Sequence, residues 1–287
     1  MSWEIVLVIS FGITVFAQGI LKSIVHKLPN ARALSLQFFI CAMAMIFYGA
    51  IWGDIAFKLS LFPILGIGFI NAFGAYFQWR AYRYSLSKTS LFLPLSGIIA
   101  VSLAAIFLGE SNIYNPYIIL GSLILFCSAF ILNVRSSKEE ESTNTKWLLF
   151  VLGMVLISGV AVFMLKFFSF TVPKGTFLLY WYSGAFLGSL PILLLEGGDT
   201  RKLFQKEVWR VPLASLGIMG ALATTYWMFQ LSPAGIVVPV YSFSTTLLAI
   251  LAGWFVFKER KGLSKLQVFG FASGIIGILL IMWHTYF

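Results

Sequence analysis

Polar side chains recur at helical spacing inside the long apolar stretches of this 287-residue chain, and their types suit the binding of a small solute. In the first stretch Ser10, Thr14, Gln18 and Lys22 follow one another every four residues, so they form a slowly drifting stripe on one helix. A polar group that faces lipid is costly, and such residues usually face a cavity or a neighbouring helix. The stripe therefore predicts hydrogen bonding to a solute inside a membrane.

The same reasoning selects polar and aromatic residues in later stretches. Asn71 and Gln78 are seven residues apart and share one helix face. A polar face also follows Pro239, whose missing N–H can leave an upstream carbonyl free. The predicted substrate-binding set is Thr14, Gln18, Lys22, Asn71, Tyr76, Gln78, Lys166, Tyr182, Thr225, Tyr226, Tyr241, Ser244 and Thr245, with Pro94 and Pro239 as hinges.

Each of these side chains also has a purely structural alternative. Lys22 and Lys166 lie near the ends of their stretches, where a lysine either reaches the lipid headgroups or attracts an anion at a mouth of the pathway. Asn71 can serve only to bond two helices, and Ser and Thr often bond back to their own backbone. Lysines, amides and hydroxyls, without a carboxylate at bilayer depth, favour an anionic or zwitterionic solute.

Ten apolar stretches carry these residues, at 3–22, 33–52, 61–80, 89–107, 116–133, 147–168, 175–195, 211–230, 235–257 and 265–284. Each has the ~20 residues that cross ~30 Å of hydrocarbon. The chain is 60% hydrophobic and 10% charged, whereas about 25% of residues are charged in soluble domains. The sequence predicts an all-α membrane protein with ten transmembrane helices. Its glycines at 66, 68, 74, 217 and 220 predict close helix packing.

The basic residues fall into alternate loops. Seventeen of the twenty lysines and arginines lie in or beside the connections 1–2, 3–4, 5–6, 7–8 and 9–10, and the other side has Lys58, Lys166 and Lys174. The positive-inside rule then places the odd-numbered loops in the cytoplasm and both termini outside. We predict a multi-pass protein of a bacterial-type plasma membrane whose partner is the lipid bilayer. Because the charge is spread over short loops, no nucleic-acid partner is predicted.

An internal duplication divides the chain. The polar run 135–146 is predicted to link a five-helix unit at 1–134 to another at 147–287. Leu86-Ser87 and Pro94 recur 145 positions later as Leu231-Ser232 and Pro239. Because five is odd, the second unit enters from the opposite face, and the charge bias of equivalent loops is reversed as expected. Two inverted five-helix repeats indicate alternating access around a midplane site, for which one chain is sufficient.

The resemblance to a known family rests on Leu108-Gly109-Glu110 with Gly121, and on the degenerate copy Lys258-Glu259 with Gly270. With the five-plus-five layout, these motifs resemble the drug/metabolite transporter superfamily, specifically its EamA-type members, over essentially the whole chain. The resemblance implies a basket of helices 1–4 and 6–9 around a central cavity, with helices 5 and 10 peripheral. It also implies export or exchange of small metabolites, commonly amino acids or related solutes. Many members are assigned cytoplasmic termini, contrary to the charge count followed here.

Competing functions lack the residues they need. A membrane enzyme requires a nucleophile, a metal cluster or paired carboxylates at bilayer depth, and the sequence predicts no catalytic residue, metal site or cofactor. Glu110 and Glu259 are expected at loop edges near water, each bonding to the start of the following helix. The sequence therefore predicts a secondary transporter, an exporter or exchanger of small metabolites. The nearest alternative is a flippase for lipid-linked substrates; a channel or scaffold is less favoured because the loops are short.

Overall fold

The computed structural model describes residues 2–25, 28–52, 55–84, 89, 92–110, 115–133, 145–196, 208–255 and 265–286. These residues form helices and no strand, which confirms the all-α prediction for the described part of the chain. The described residues include ten α-helices, in order α1 Trp3–Val25, α2 Asn30–Trp52, α3 Phe62–Tyr84, α4 Leu93–Phe107, α5 Pro116–Asn133, α6 Thr145–Ser169, α7 Lys174–Glu196, α8 Arg210–Leu231, α9 Ala234–Phe255 and α10 Lys265–Tyr286. A 3₁₀ turn, Leu59–Leu61, precedes α3.

Six of these helices, α1, α2, α3, α6, α7 and α8, are long and apolar enough over their described residues to cross a membrane. The other four contain shorter apolar segments. α4 begins at Leu93, four residues later than predicted, because Pro94 occupies its first turn, where a missing N–H leaves nothing unpaired. Its 15 residues extend about 22 Å at ~1.5 Å per residue, less than the ~30 Å of hydrocarbon.

The most extensive packing joins α3 to α7. A Cβ atom placed on Gly68 would collide with the Trp181 carbonyl, and one on Gly184 would collide with that of Leu65. Glycine therefore lets the two backbones touch, as small residues do in membrane helix pairs. α7 is also the most buried of the membrane-length helices described in the structure, with 56% of its most apolar segment inside the protein.

The glycines predicted to allow close packing do so with one exception. A Cβ on Gly74 would lie 2.7 Å from Ile157, one on Gly217 2.9 Å from Ala17, and one on Gly220 3.2 Å from Ile13. At Gly66 nothing lies within 4 Å, so that prediction was wrong: the residue is on the exposed side of α3. Gly66 and Gly68 are two positions apart and thus face different directions on the helix.

Other helix contacts place the remaining elements. α1 packs on α8, α2 on α7, α6 on both α3 and α4, and α4 on α9. α10 packs mainly on α5, with a Cβ on Gly121 lying 2.9 Å from the Gly277 carbonyl, and the hydroxyls of Ser128 and Ser273 are 2.9 Å apart. Large apolar side chains on α10, such as Phe269 and Leu279, are exposed, which suits a helix that faces lipid.

Candidate functional site

Polar residues of α1, α8 and α9 meet inside the bundle. The Thr14 hydroxyl lies 3.2 Å from the Tyr241 hydroxyl, and the Tyr241 ring stacks on Phe11 at 6.4 Å between centroids. One turn away on α1, Ser10 accepts a hydrogen bond of 2.9 Å from Thr224. Two residues of the predicted binding set, from opposite halves of the chain, are therefore in direct contact.

Three other members of the set carry hydrogen-bonding groups that the described residues do not satisfy. Asn71, at the middle of α3, is half-buried, and no hydrogen bond to its amide is found within the described ranges. Tyr182 is 1% exposed, and its hydroxyl has no partner in the described part of the chain. Ser244 is buried on α9 without a described side-chain bond. These groups can both donate and accept toward a solute.

Four predicted contacts use their polar groups within the protein. Gln78 donates to the Tyr82 hydroxyl at 2.9 Å. Thr225 and Thr245 bond back to carbonyls of their own helices, at 2.8 and 2.9 Å respectively, which is the alternative expected for such residues. Tyr226 is fully buried, and its hydroxyl lies 2.8 and 2.6 Å from the carbonyl oxygens of Phe168 and Val172. Its ring stacks on Phe177 with centroids 4.5 Å apart.

Lys166 is 2% exposed, and its ammonium is enclosed by protein. It donates to the carbonyls of Phe229 and Ser232 at 2.8 and 2.9 Å, and lies 3.5 Å from a carboxylate oxygen of Glu110. The lysine thus satisfies carbonyls at the C-terminal end of α8, where a positive charge is favourable. It does not reach toward headgroups.

Glu110 departs from its expected place at a wet loop edge. It is 6% exposed and accepts a 3.0 Å hydrogen bond from the N–H of Ala234, the first residue of α9. The expectation that it bonds to the following helix was therefore wrong. The first N–H groups of a helix lack partners and carry partial positive charge, so α9 and Lys166 together stabilise this carboxylate.

The two predicted hinges lie in different contexts. Pro239 is inside α9, and its missing N–H leaves the Gly235 carbonyl without its helical donor. The Ser122 hydroxyl of α5 faces that carbonyl at 3.5 Å. Pro94, in contrast, begins α4. Of the two predicted hinges, Pro239 is the one inside a helix, where it interrupts a helical hydrogen bond.

A second polar feature, which we call the basic cavity, opens where α2 begins and where α3 and α7 end. It has a volume of about 220 Å³ and is lined by Pro29, Asn30, Ala31, Arg32, Arg80, Arg83, Leu193 and Glu196. The Glu196 carboxylate accepts from the N–H of Ala31 at 3.0 Å, forms an ion pair with Arg80, and accepts from the Tyr76 hydroxyl at 3.2 Å. Predicted contact Tyr76 thus lies beside this cavity.

The C-terminal half of the chain can be assigned by comparison. Residues 145–283 match the model of the EamA-like transporter family, from the start of α6 into the last turns of α10. We refer to residues 145–283 as the EamA-like domain. The EamA-like family belongs to the drug/metabolite transporter superfamily, so the predicted resemblance is confirmed over these residues, and the protein is an integral membrane protein.

Solved structures resemble the fold of the whole chain. Among them 28 chains match. One crystal structure covers 99% of this chain and 98% of its own, with a TM-score of 0.74 and 17% identity. At that identity the likeness shows the fold alone. The comparison with curated proteins found no match.

The EamA-like domain holds some of the predicted residues and leaves others outside. Tyr182, Tyr226 and Tyr241 lie within the matched residues, whereas Thr14 and Asn71 lie in the first half. The side chains of Gln18 and Lys22, and all of Glu259, lie outside the described residues.

Sequence reasoning missed Asn30 and Glu196 in the basic cavity. An acidic residue directly ending an apolar helix was the available signal, because the helix dipole disfavours it there.

Proposed function

We propose that this protein is a secondary transporter that exports or exchanges small anionic or zwitterionic metabolites by alternating access. The observation that carries the proposal is the contact of Thr14 with Tyr241, which joins the first half of the chain to the EamA-like domain. Polar groups from both halves thus face each other inside a bundle whose family transports solutes. One chain contains both halves, so a monomer is sufficient for a complete pathway.

The pairing of helices supports an inverted repeat. If each helix of the first five is exchanged with the helix five places later, the α1–α8 pair becomes α6–α3, and α3–α7 becomes α8–α2; all four pairs are in contact. The pairs α2–α7, α4–α9 and α5–α10 map onto themselves and are also in contact. In addition, the residue Glu110 beyond the end of α4 touches the start of α9, as antiparallel equivalents would require.

The solute class follows from the polar groups that remain available. Asn71, Tyr182 and Ser244 offer neutral donors and acceptors without a described partner, and the arginines of the basic cavity add positive charge at one end of the bundle. Neutral polar groups inside the bundle, together with positive charge at one end of it, suit a solute with a carboxylate or phosphate group. Lys22 lies near the end of α1, on the same side of the bundle as the basic cavity, and we propose that it contributes to this attraction.

Uptake into proteoliposomes of a labelled panel of amino acids, nucleotides and organic acids tests the proposal. For a transported solute, Asn71→Ala is expected to lower kcat/KM roughly tenfold, since one lost hydrogen bond is worth about 1 kcal/mol or more. Ser128→Ala, which removes a hydroxyl at the α5–α10 contact, is the matched control and should change little. Flipping of a lipid-linked substrate without uptake of any panel member would instead support the flippase alternative.

The proposed orientation has its own test. With both termini outside a bacterial-type plasma membrane, cysteines introduced at Asn112 and Gly262 should react with an impermeant reagent from opposite sides. Labelling of both positions from one compartment would contradict the inverted arrangement and the transport mechanism derived from it.

A further inference from the structure

The basic cavity carries an excess of positive charge in a confined space. Among the described residues, Arg32, Arg80 and Arg83 line it against one carboxylate, that of Glu196. Arginine binds carboxylate and phosphate groups with paired, charge-assisted hydrogen bonds. The cavity, of about 220 Å³, is smaller than the ~300–1,000 Å³ of typical sites for drug-sized ligands. Its charge and size suit one small anionic group.

The start of α2 points the same way. This 23-residue helix begins at Asn30, and its first N–H groups carry the partial positive charge that binds anions. The N–H of Ala31 already holds a carboxylate oxygen of Glu196 at 3.0 Å. The wall of the cavity therefore contains an anion-binding site formed by the Ala31 N–H and Arg80, and the carboxylate of Glu196 occupies it.

Asn30 provides an independent indication of a ligand. The residue is 1% exposed and lines the cavity, yet neither its amide nitrogen nor its amide oxygen has a hydrogen-bond partner in the described part of the chain. A buried polar group without a partner is energetically unfavourable. Glu196 does not satisfy this amide, so a group larger than one carboxylate, or differently placed, is needed to use it.

We infer that the basic cavity binds the carboxylate or phosphate group of an anionic solute. Glu196 occupies this anion-binding site and competes with the solute until the solute displaces it. The inference rests on the proposed transport function and names the solute group and its first contact. An entering anion would take the Ala31 N–H and Arg80 from Glu196 and would also reach Asn30.

Displacement of Glu196 has a mechanical consequence. Glu196 is the last residue of α7, in the second half of the chain. Ala31 and Arg80, which bind its carboxylate, belong to α2 and α3 in the first half. Its bonds therefore hold the two halves together at this end. A solute anion that replaces these bonds releases α7. Solute binding and opening of this end of the bundle are therefore coupled, because the solute and Glu196 compete for the same anion-binding site. Because the carboxylate is tethered, its effective concentration is high, on the order of millimolar or more.

The test uses the full-length protein in a neutral detergent without added lipid. Inorganic phosphate and propionate, the free analogue of a glutamate side chain, are titrated at constant ionic strength, and binding is measured by calorimetry and by the rise in melting temperature. Glu196→Gln cannot form the ion pair with Arg80, so it is expected to bind both anions at least tenfold more tightly than the parent protein. Adding Asn30→Ala to that variant should lower the phosphate affinity several-fold.

Glu110→Gln is the matched control, because it removes the same charge from a buried carboxylate at the opposite end of the bundle. Equal anion affinities of Glu196→Gln and Glu110→Gln would show an effect of net charge alone and would overturn the inference. So would equal affinities of Glu196→Gln and the parent. If Glu196→Gln is too unstable to purify, Arg83→Gln in the parent protein provides the second measurement: it should weaken phosphate binding, and unchanged binding would overturn the inference.

Two further outcomes distinguish the solute site from a lipid site and from the proposed transport function. Binding of phosphatidylglycerol, with no effect of either free anion, would identify a lipid site and would overturn the solute site. The binding assay also needs no transport. Anion binding without uptake of any metabolite would leave the site standing and contradict the proposed function, whereas uptake with no difference in anion binding between Glu196→Gln and the parent would contradict only the site.

Discussion

Two glycines in one helix should respond in opposite ways to the same added methyl group. Gly66 and Gly68 both lie in α3, two residues apart. A Cβ on Gly66 meets nothing within 4 Å, whereas one on Gly68 would meet the carbonyl oxygen of Trp181 and would lie 3.0 Å from its carbonyl carbon. Because these obstructing atoms belong to the backbone of α7, no side-chain rotation can relieve the contact.

The magnitudes follow from these surroundings. Gly66→Ala gains about 0.5–1 kcal/mol, since alanine loses less conformational entropy than glycine in a helix. Gly68→Ala gains the same amount but must push α7 away, and overpacking typically costs ~1–3 kcal/mol; backbone contact favours the upper end. The two variants should therefore differ by roughly 3 kcal/mol in the free energy of unfolding. At ~2–4 °C per kcal/mol, that is a difference of about 6–12 °C in melting temperature.

Thermal unfolding of both variants in detergent micelles, followed by intrinsic tryptophan fluorescence, measures this difference. Both proteins carry the same substitution in the same helix, so detergent binding and extinction are matched. The parent protein should melt between them. If Gly68→Ala melts as high as Gly66→Ala, the backbone contact between α3 and α7 does not exist in solution, and the packing described for the two halves would have to be revised.

Three further substitutions test buried polar contacts through melting temperatures. Lys166→Met should cost about 3–5 kcal/mol, because it leaves the Glu110 carboxylate buried without a cation; Glu110→Gln in the same chain should recover part of the loss, and strictly additive losses would contradict the pair. Ser122→Ala should cost about 1 kcal/mol but nearly nothing in a Pro239→Ala background, where a restored N–H takes the freed carbonyl; an equal cost in both backgrounds argues against that role. Tyr226→Phe should lower stability by about 1–3 kcal/mol while the KM for uptake stays unchanged, and a raised KM at unchanged stability would make its hydroxyl a solute contact.

Helix positions could be predicted from sequence because lipid imposes a length on every apolar stretch. α5 begins at Pro116 and ends at Asn133, as predicted from its composition alone. The largest error at a helix start is at α4, where the apolar run extends beyond the helix and Pro94 decides where the helix begins. Hydropathy reports solvent preference along the chain, and it carries no information on which residue makes the first helical hydrogen bond.

The candidate site was predicted by residue type but not by partner. Thr14 and Tyr241 were both selected as polar residues at helical spacing, and the structure brings them together. Tyr226 was selected on the same grounds, but the carbonyls it contacts lie 54 and 58 residues earlier, in and beside the connection of α6 and α7. A sequence shows that a side chain is polar, and only the fold shows whether a backbone carbonyl already satisfies it.

The two carboxylates at helix ends follow one physical rule that the sequence does display. Glu196 ends α7, and Glu110 lies just beyond α4, so each stands at the C-terminal end of a helix, where the helix dipole disfavours negative charge. Each is instead bonded to the first N–H groups of an antiparallel neighbour from the other half: Glu196 to α2, and Glu110 to α9. Antiparallel packing places one helix start beside another helix end, so the carboxylate exchanges an unfavourable dipole for a favourable one. An acidic residue that closes an apolar helix therefore indicates a contact across the two halves.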